Sequence, residues 1–160
     1  MENSQKIVQY KDINTINRQL VGEKVLVGGC FDVLHIGHVR FLESAKKQGD
    51  VLIVALESDE FIQKKKNRHP FHTQLERAEI LAAIIVVDYI VLLPYLATSS
   101  EYQILVTHVM PDIIAVTEND SQRANKELQA RSANAKVVTV IPYIPQKTSS
   151  DLLKAMQKEL

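Results

Sequence analysis

Apolar positions along this chain come in short continuous runs, and the stretches between them carry helical spacing. Lys24–Gly28 encloses Val25-Leu26-Val27 and reads as a buried strand. His38, Phe41, Leu42 and Ala45 then fall at i, i+3, i+4 and i+7, which predicts a helix over Gly37–Gln48, stopped near Gly49. Asp50–Leu56 is apolar with little alternation, as in a strand covered on both faces. Thr73-Gln74-Leu75-Glu76 has capping-box spacing and opens a helix toward Ile85. Val86–Leu93, closed by Pro94, is a third strand, and Ser100-Glu101-Tyr102-Gln103 is a second capping box, starting a helix toward His108. Asp112–Val116 is a fourth strand, Asp120 or Ser121 caps the next helix, and Lys136–Ile141 is a fifth strand. Beyond the stiff Pro142–Pro145 connector, a last helix buries Leu152, Leu153 and Met156. Ahead of all this, Ile13, Ile16 and Leu20 suggest a short helix in a lead-in segment, 1–22, packed outside the domain.

Strands alternating with helices pair in parallel through right-handed crossovers. The prediction is one α/β domain over 1–160, a Rossmann-like, doubly wound sheet of about five parallel strands with helices on both faces.

The turn between the first strand and its helix holds the densest chemistry: Gly28-Gly29-Cys30-Phe31-Asp32-Val33-Leu34-His35-Ile36-Gly37-His38. It lies at the carboxyl end of a strand, where open α/β sheets bind ligands. Glycine there lets a ligand approach the main chain, and the free N–H groups of a helix start favour phosphate. His35 and His38 are three apart, so both reach one spot, and paired imidazoles suit the charge that builds on a transferring phosphoryl group.

Gly29-Cys30-Phe31-Asp32 followed by His35-Ile36-Gly37-His38 resembles the G-[TC]-F-D-x-x-H-x-G-H signature of cytidylyltransferase-like nucleotidyltransferases. The longer run to Gly49-Asp50 is similar to adenylyltransferases of heptose 1-phosphate metabolism and to glycerol-3-phosphate cytidylyltransferases, and the likeness extends over about residues 24–155. The resemblance implies transfer of a nucleoside monophosphate from ATP or CTP to a small phosphorylated acceptor, with release of pyrophosphate. Heptose 1-phosphate is the favoured acceptor, with glycerol 3-phosphate or phosphoethanolamine as alternatives. His35, His38 and Lys65 form the expected catalytic set. Gly29, Cys30, Phe31, Gly37, Lys64, Arg77, Lys147, Thr148, Ser149 and Ser150 are expected to hold the nucleotide, and Asp32 to shape the turn or position the acceptor. Mg2+ rides on the triphosphate, since that ion binds through substrate phosphates and few protein ligands. The resemblance also suggests a homodimer.

Glu57–His72 reads as a charged loop whose Lys64, Lys65 and Lys66 serve as a cationic lid. Arg77 sits in the first turn of a helix, a poor place for a cation unless a carboxylate or phosphate partners it. Lys147 before three hydroxyls, Thr148 to Ser150, forms a candidate phosphate cradle. Val116-Thr117-Glu118-Asn119-Asp120 departs from the Lys-Gly-Gly-Asp-Tyr of heptose-type enzymes, and Tyr143 stands where glycerol-3-phosphate enzymes carry arginine. These departures keep open a non-catalytic nucleotide-binding regulator on the same fold.

Lys plus Arg equals Asp plus Glu, 19 each, which argues against a general nucleic-acid binder. One cysteine, Cys30, excludes an intrachain disulfide and favours a reducing compartment, so the expected location is cytoplasmic. No apolar run reaches membrane-spanning length, and no signal-peptide pattern is present. His35-x-x-His38 and His69-x-x-His72 offer two imidazole pairs for a metal. Pro70 bends the second pair off a helix and the Glu of H-E-x-x-H is missing, so a metal hydrolase is the weaker reading.

Overall fold

Alternation along the central strands sends neighbouring residues into two separate cores. In β2 (Lys24–Gly29), Val25 and Val27 enter one core and Leu26 the other. In β3 (Val51–Leu56), Leu52, Val54 and Leu56 part in the same way from Ile53 and Ala55. Strands buried on both faces are the mark of a parallel sheet sandwiched between helices. The first core is closed by Phe41, Leu42 and Ala45 of α2 (Ile36–Lys46) and by Ala78, Leu81 and Ala82 of α4 (Gln74–Ala82). The second is closed by Ile13 of α1 (Ile13–Asn17), by Leu105, Val106 and Val109 of α5 (Ser99–Val109), and by Ala130 of α6 (Arg123–Arg131). The protein is described here over residues 2–142 from a computed structural model.

The sheet has six strands, all parallel, in the order β1-β4-β3-β2-β5-β6, where β1 is Ile7–Gln9, β4 Tyr89–Leu92, β5 Ile113–Thr117 and β6 Lys136–Ile141. The sixth strand comes from the lead-in segment: Ile7–Gln9 adds to the edge of β4, with Val8 buried. Three residues are too few to show a period, so only pairing reveals the strand.

Strand order reverses between β2 and β5, the switch point at which open α/β sheets form a ligand crevice. The two strands pair only at Val25–Ile113 and Leu26–Ile114, whereas β2 and β3 stay in register from Lys24 to Gly29. Beyond Leu26 the β2 and β5 carboxyl ends are no longer joined. The ends of β3 and β4 are instead tied together: Gln74 Nε2 donates to the carbonyls of Leu56 and Leu93, at 3.0 and 2.8 Å.

Three expectations change. Residues 57–72 are not one loop: α3 (Asp59–Lys66) is a helix, capped by Ser58, whose Oγ accepts from the Phe61 N–H at 3.1 Å. Acids in its first turn and three lysines in its last complement the helix dipole, a pattern legible in the sequence. The capping box of α5 is Thr98 and Glu101, two residues earlier than the Ser100–Gln103 spacing suggested. The third strand starts at Tyr89 rather than Val86, because 83–86 form the turn that leaves α4. The Thr73–Glu76 box is present, with Glu76 Oε2 accepting from the Thr73 N–H at 2.8 Å.

Candidate active site

β2 ends on Gly29, beside the crevice. A Cβ there would lie 2.9 Å from Phe31 Cε2, so the Phe31 ring fills the volume a side chain would need. Phe31 has φ of 46°, a left-handed conformation that costs an aromatic residue about 1–2 kcal/mol. Burying its ring offsets that cost, and the ring meets His38 with centroids 5.3 Å apart.

The two histidines cap the same helix end. The Gly37 N–H donates to His35 Nδ1 at 3.1 Å, and the His35 N–H donates to His38 Nδ1 at 3.4 Å. This is a capping box built from imidazoles instead of Ser/Thr and Glu. Since each Nδ1 accepts, the neutral ring carries its proton on Nε2. The rings lie 4.0 Å apart, centroid to centroid. Burial, with the nearby His35, pushes His38 down to about 4, so it is neutral at pH 7. The site thus presents two imidazoles, that of His38 neutral, at the first turn of α2, where main-chain N–H groups also gather.

Arg77 was expected as a nucleotide ligand. It is fully buried, and its donors go to protein: Nη1 to the Cys30 carbonyl at 2.5 Å, Nη2 to Asp59 Oδ1 at 2.7 Å and Nε to the His72 carbonyl at 3.2 Å. A guanidinium engaged in this way holds the turn rather than meeting a phosphate. Asp32 is likewise buried, not open to an acceptor. It accepts from the N–H groups of Phe71 and His72, at 2.8 and 3.2 Å, and pairs with Arg68. The segment 68–72 is thereby fastened to the turn. Burial pushes the Cys30 thiol up to about 11, helped by the charge of Glu57, so it stays protonated.

Lys64 and Lys65 occupy the last turn of α3. Lys64 pairs with Glu60 at 2.6 Å and lies 4.4 Å over the Tyr95 ring. At the end of β5, Asp120 Oδ1 accepts from the Gln122 N–H at 2.8 Å, and Asp120 Oδ2 pairs with Lys126 at 2.6 Å. The N-cap of α6 is Gln122, with no side-chain cap, so neither Asp120 nor Ser121 caps that helix as expected; Asp120 instead holds the turn before it. Lys147, Thr148, Ser149 and Ser150 lie outside the described residues.

Sequence reasoning passed over Glu57, which is 7% exposed and follows β3 directly. Its N–H donates to the Gly29 carbonyl at 3.0 Å, which sets it beside the histidine turn. Its Oε1 accepts from the Tyr102 hydroxyl at 2.8 Å. Burial pushes Glu57 up to about 7, and burial with the Glu57 charge pushes Tyr102 upward too. The available signal was an acid at the carboxyl end of an otherwise apolar strand. Among the described residues, no group of three or more His, Cys, Asp or Glu could hold a metal ion, and no helix is long and apolar enough to cross a membrane.

The sequence profile of the cytidylyltransferase-like family matches residues 26–154. The FAD synthase of Thermococcus kodakarensis is 36% identical over 139 residues, covering 84% of this chain and 90% of that protein. The bifunctional protein HldE of Nitratiruptor is 33% identical over 155 residues, covering 94% of this chain and 32% of that longer protein. Among solved structures, the pantoate-beta-alanine ligase of Francisella tularensis shares the fold with a TM-score of 0.63, at 17% identity, over 94% of this chain and 76% of that one. The lipopolysaccharide core biosynthesis protein of Thermoplasma volcanium does so with a TM-score of 0.60, at 24% identity, over 78% of this chain and 98% of that one.

Proposed function

We propose, since this chain belongs to the cytidylyltransferase-like family of nucleotidyltransferases, that it transfers the adenylyl group of ATP to the phosphate of FMN, forming FAD and pyrophosphate. The observation that carries nucleotidyl transfer is the reciprocal imidazole cap, which engages both Nδ1 atoms and leaves Nε2–H as the donor of each ring at one helix start. The acceptor rests on the FAD synthases, which match this chain along most of their own length.

An oxygen of the acceptor phosphate attacks the α-phosphorus in line. The new P–O bond forms as the bond to the β-phosphate oxygen breaks, and pyrophosphate leaves. The attacking monoester is already ionised, so no general base is required. His35 and His38 donate from Nε2 to the α-phosphate oxygens as charge grows there, and the helix-start N–H groups add to this. Lys65, with Lys64, neutralises the outer phosphates, and Lys147 with Thr148, Ser149 and Ser150 contributes further donors. Gly29, Cys30, Phe31 and Gly37 shape the main chain that receives the nucleotide. Arg77 and Asp32 position that turn. Mg2+ arrives as part of the ATP substrate, held by its phosphate oxygens.

A second acceptor, heptose 1-phosphate, is favoured by the HldE match along nearly the whole chain. A pyrophosphate-release screen of the four ribonucleoside triphosphates against FMN, heptose 1-phosphate, glycerol 3-phosphate and phosphoethanolamine tests both. ATP with FMN is expected to give the fastest release. Release with heptose 1-phosphate and none with FMN replaces the acceptor, and nucleotide binding without release in any combination overturns the enzymatic reading.

A further inference from the structure

Among the described residues, one buried carboxyl oxygen of Glu57 stands without a partner. Its Oε1 accepts from Tyr102, but Oε2 has no hydrogen-bond partner among the described residues, and no other buried side-chain oxygen or nitrogen among them is left so. Such an atom costs folding free energy whether the carboxyl is ionised or protonated. The Glu57 main chain bonds the end of β2, where the histidine turn begins, at the carboxyl end of β3, the strand next to β2 on the side away from β5, and its carboxyl runs to Tyr102 of α5.

We propose that Glu57 reads the acceptor: its Oε2 accepts a hydrogen bond from a hydroxyl or imide N–H on the uncharged body of the phosphorylated acceptor. This rests on the nucleotidyl-transfer reading given above. The ionised carboxylate repels phosphate, so the ligand that stabilises that form is a neutral donor and not a phosphoryl oxygen. In-line transfer sets the attacking phosphate and the leaving pyrophosphate on opposite sides of the α-phosphorus. On the β3 side Lys64 and Lys65 are exposed at the far end of α3 and suit the outer phosphates, whereas Glu57 is buried ahead of α3 beside the Gly29 carbonyl and suits the uncharged body of the acceptor.

The groups that bear on Glu57 come from every neighbouring element. Tyr102 of α5 donates to it, Cys30 lies in the adjoining turn, and Arg77 of α4 and Lys126 of α6 act as cations already paired with Asp59 and Asp120. Neither cation balances Glu57 fully, since burial still dominates and keeps it near 7. A ligand donor at Oε2 stabilises the ionised form, so acceptor binding releases a proton near neutral pH.

The test uses the full chain with saturating Mg-ATP and varied FMN, following pyrophosphate release. Glu57→Gln keeps the shape and the Tyr102 contact but turns an NH2 group toward the ligand's donor. It is expected to raise KM for FMN about tenfold or more, the scale of a lost hydrogen bond to a charged group, with kcat and KM for ATP little changed. Tyr102→Phe is expected to raise KM for FMN in the same direction. An unchanged KM for FMN, or a rise confined to ATP, overturns the assignment. A wild-type protein inactive with FMN removes the FMN reading alone. The Glu57 assignment is then read from the 13C-carboxyl NMR titration, its signal identified by loss in Glu57→Gln. A midpoint that falls by a unit or more on adding FMN, heptose 1-phosphate or glycerol 3-phosphate supports it; a midpoint moved by none of the three overturns it.

Discussion

Arg77 Nη1 donates to the carbonyl oxygen of Cys30 at 2.5 Å, joining the first turn of α4 to the turn that carries the histidines. The same guanidinium reaches Asp59 at the start of α3 and His72 before α4. One buried cation thus fixes three segments around the candidate site.

Replacing Arg77 by Met leaves a buried carbonyl and a carboxylate without their donor. Breaking a buried pair costs about 3–5 kcal/mol, and Asp59 is partly exposed, so the expected loss is about 3 kcal/mol. Urea unfolding checks it: the midpoint should fall with an unchanged slope. Arg77→Lys retains charge without the fork, so it should restore only part of the stability.

The imidazole cap separates structure from chemistry. Asparagine is a good N-cap, so His35→Asn should keep the melting temperature within a few degrees while turnover falls about 100-fold or more. His38→Ala should lose turnover by about 100- to 1000-fold, with circular dichroism still showing a folded chain. Near-normal pyrophosphate release by either variant contradicts the role given to the pair.

His38 and Glu57 oppose each other in pH. The folded chain holds His38 neutral, at about 4 against an ordinary 6.5, so its contribution is present above 6.5 and is lost as pH falls toward 4. Glu57 is held protonated, at about 7 against 4.5, so its contribution is present below 4.5 and is lost as pH rises through 7. Each amounts to about 3 kcal/mol at full extent. Between 4.5 and 6.5 the slopes cancel. Relative to wild type, Glu57→Gln should therefore gain stability with rising pH across that window, and His38→Asn should lose it. Chemical denaturation at half-unit pH steps reads both slopes.

Gly29→Ala forces the Phe31 ring off its seat, since the new Cβ would stand 2.9 Å from Cε2. Overpacking of this kind costs about 1–3 kcal/mol. Because that ring also rests against His38, turnover should fall further than the loss of folded protein accounts for. A kcat measured at a temperature where the variant is fully folded distinguishes the two.

Long apolar runs, the Thr73–Glu76 box and the histidine turn were legible because each is written within about a dozen consecutive residues. The α3 helix is legible too, through Ser58, the acids after it and the lysines at its end, although so much charge over 57–72 equally suits a loop. Nothing near Ile7–Gln9 announces a strand; β1 exists because the exposed edge of β4 offers partners.

The sequence by itself determined the alternation of strand and helix, the parallel sheet and the presence of paired imidazoles after the first buried strand, since local spacing and turn chemistry suffice for these. Tertiary structure alone decided which polar groups stay available. Arg77 and Asp32 are consumed by partners across long stretches of chain, Cys30 and Asp59 for the one, Arg68 and Phe71 for the other. Glu57 is left with a buried, unpaired Oε2 because, among the described residues, Tyr102 of α5 is the one hydroxyl that bonds its carboxyl. Hydrogen-bond satisfaction is a property of neighbours in space, and no reading along the chain supplies them.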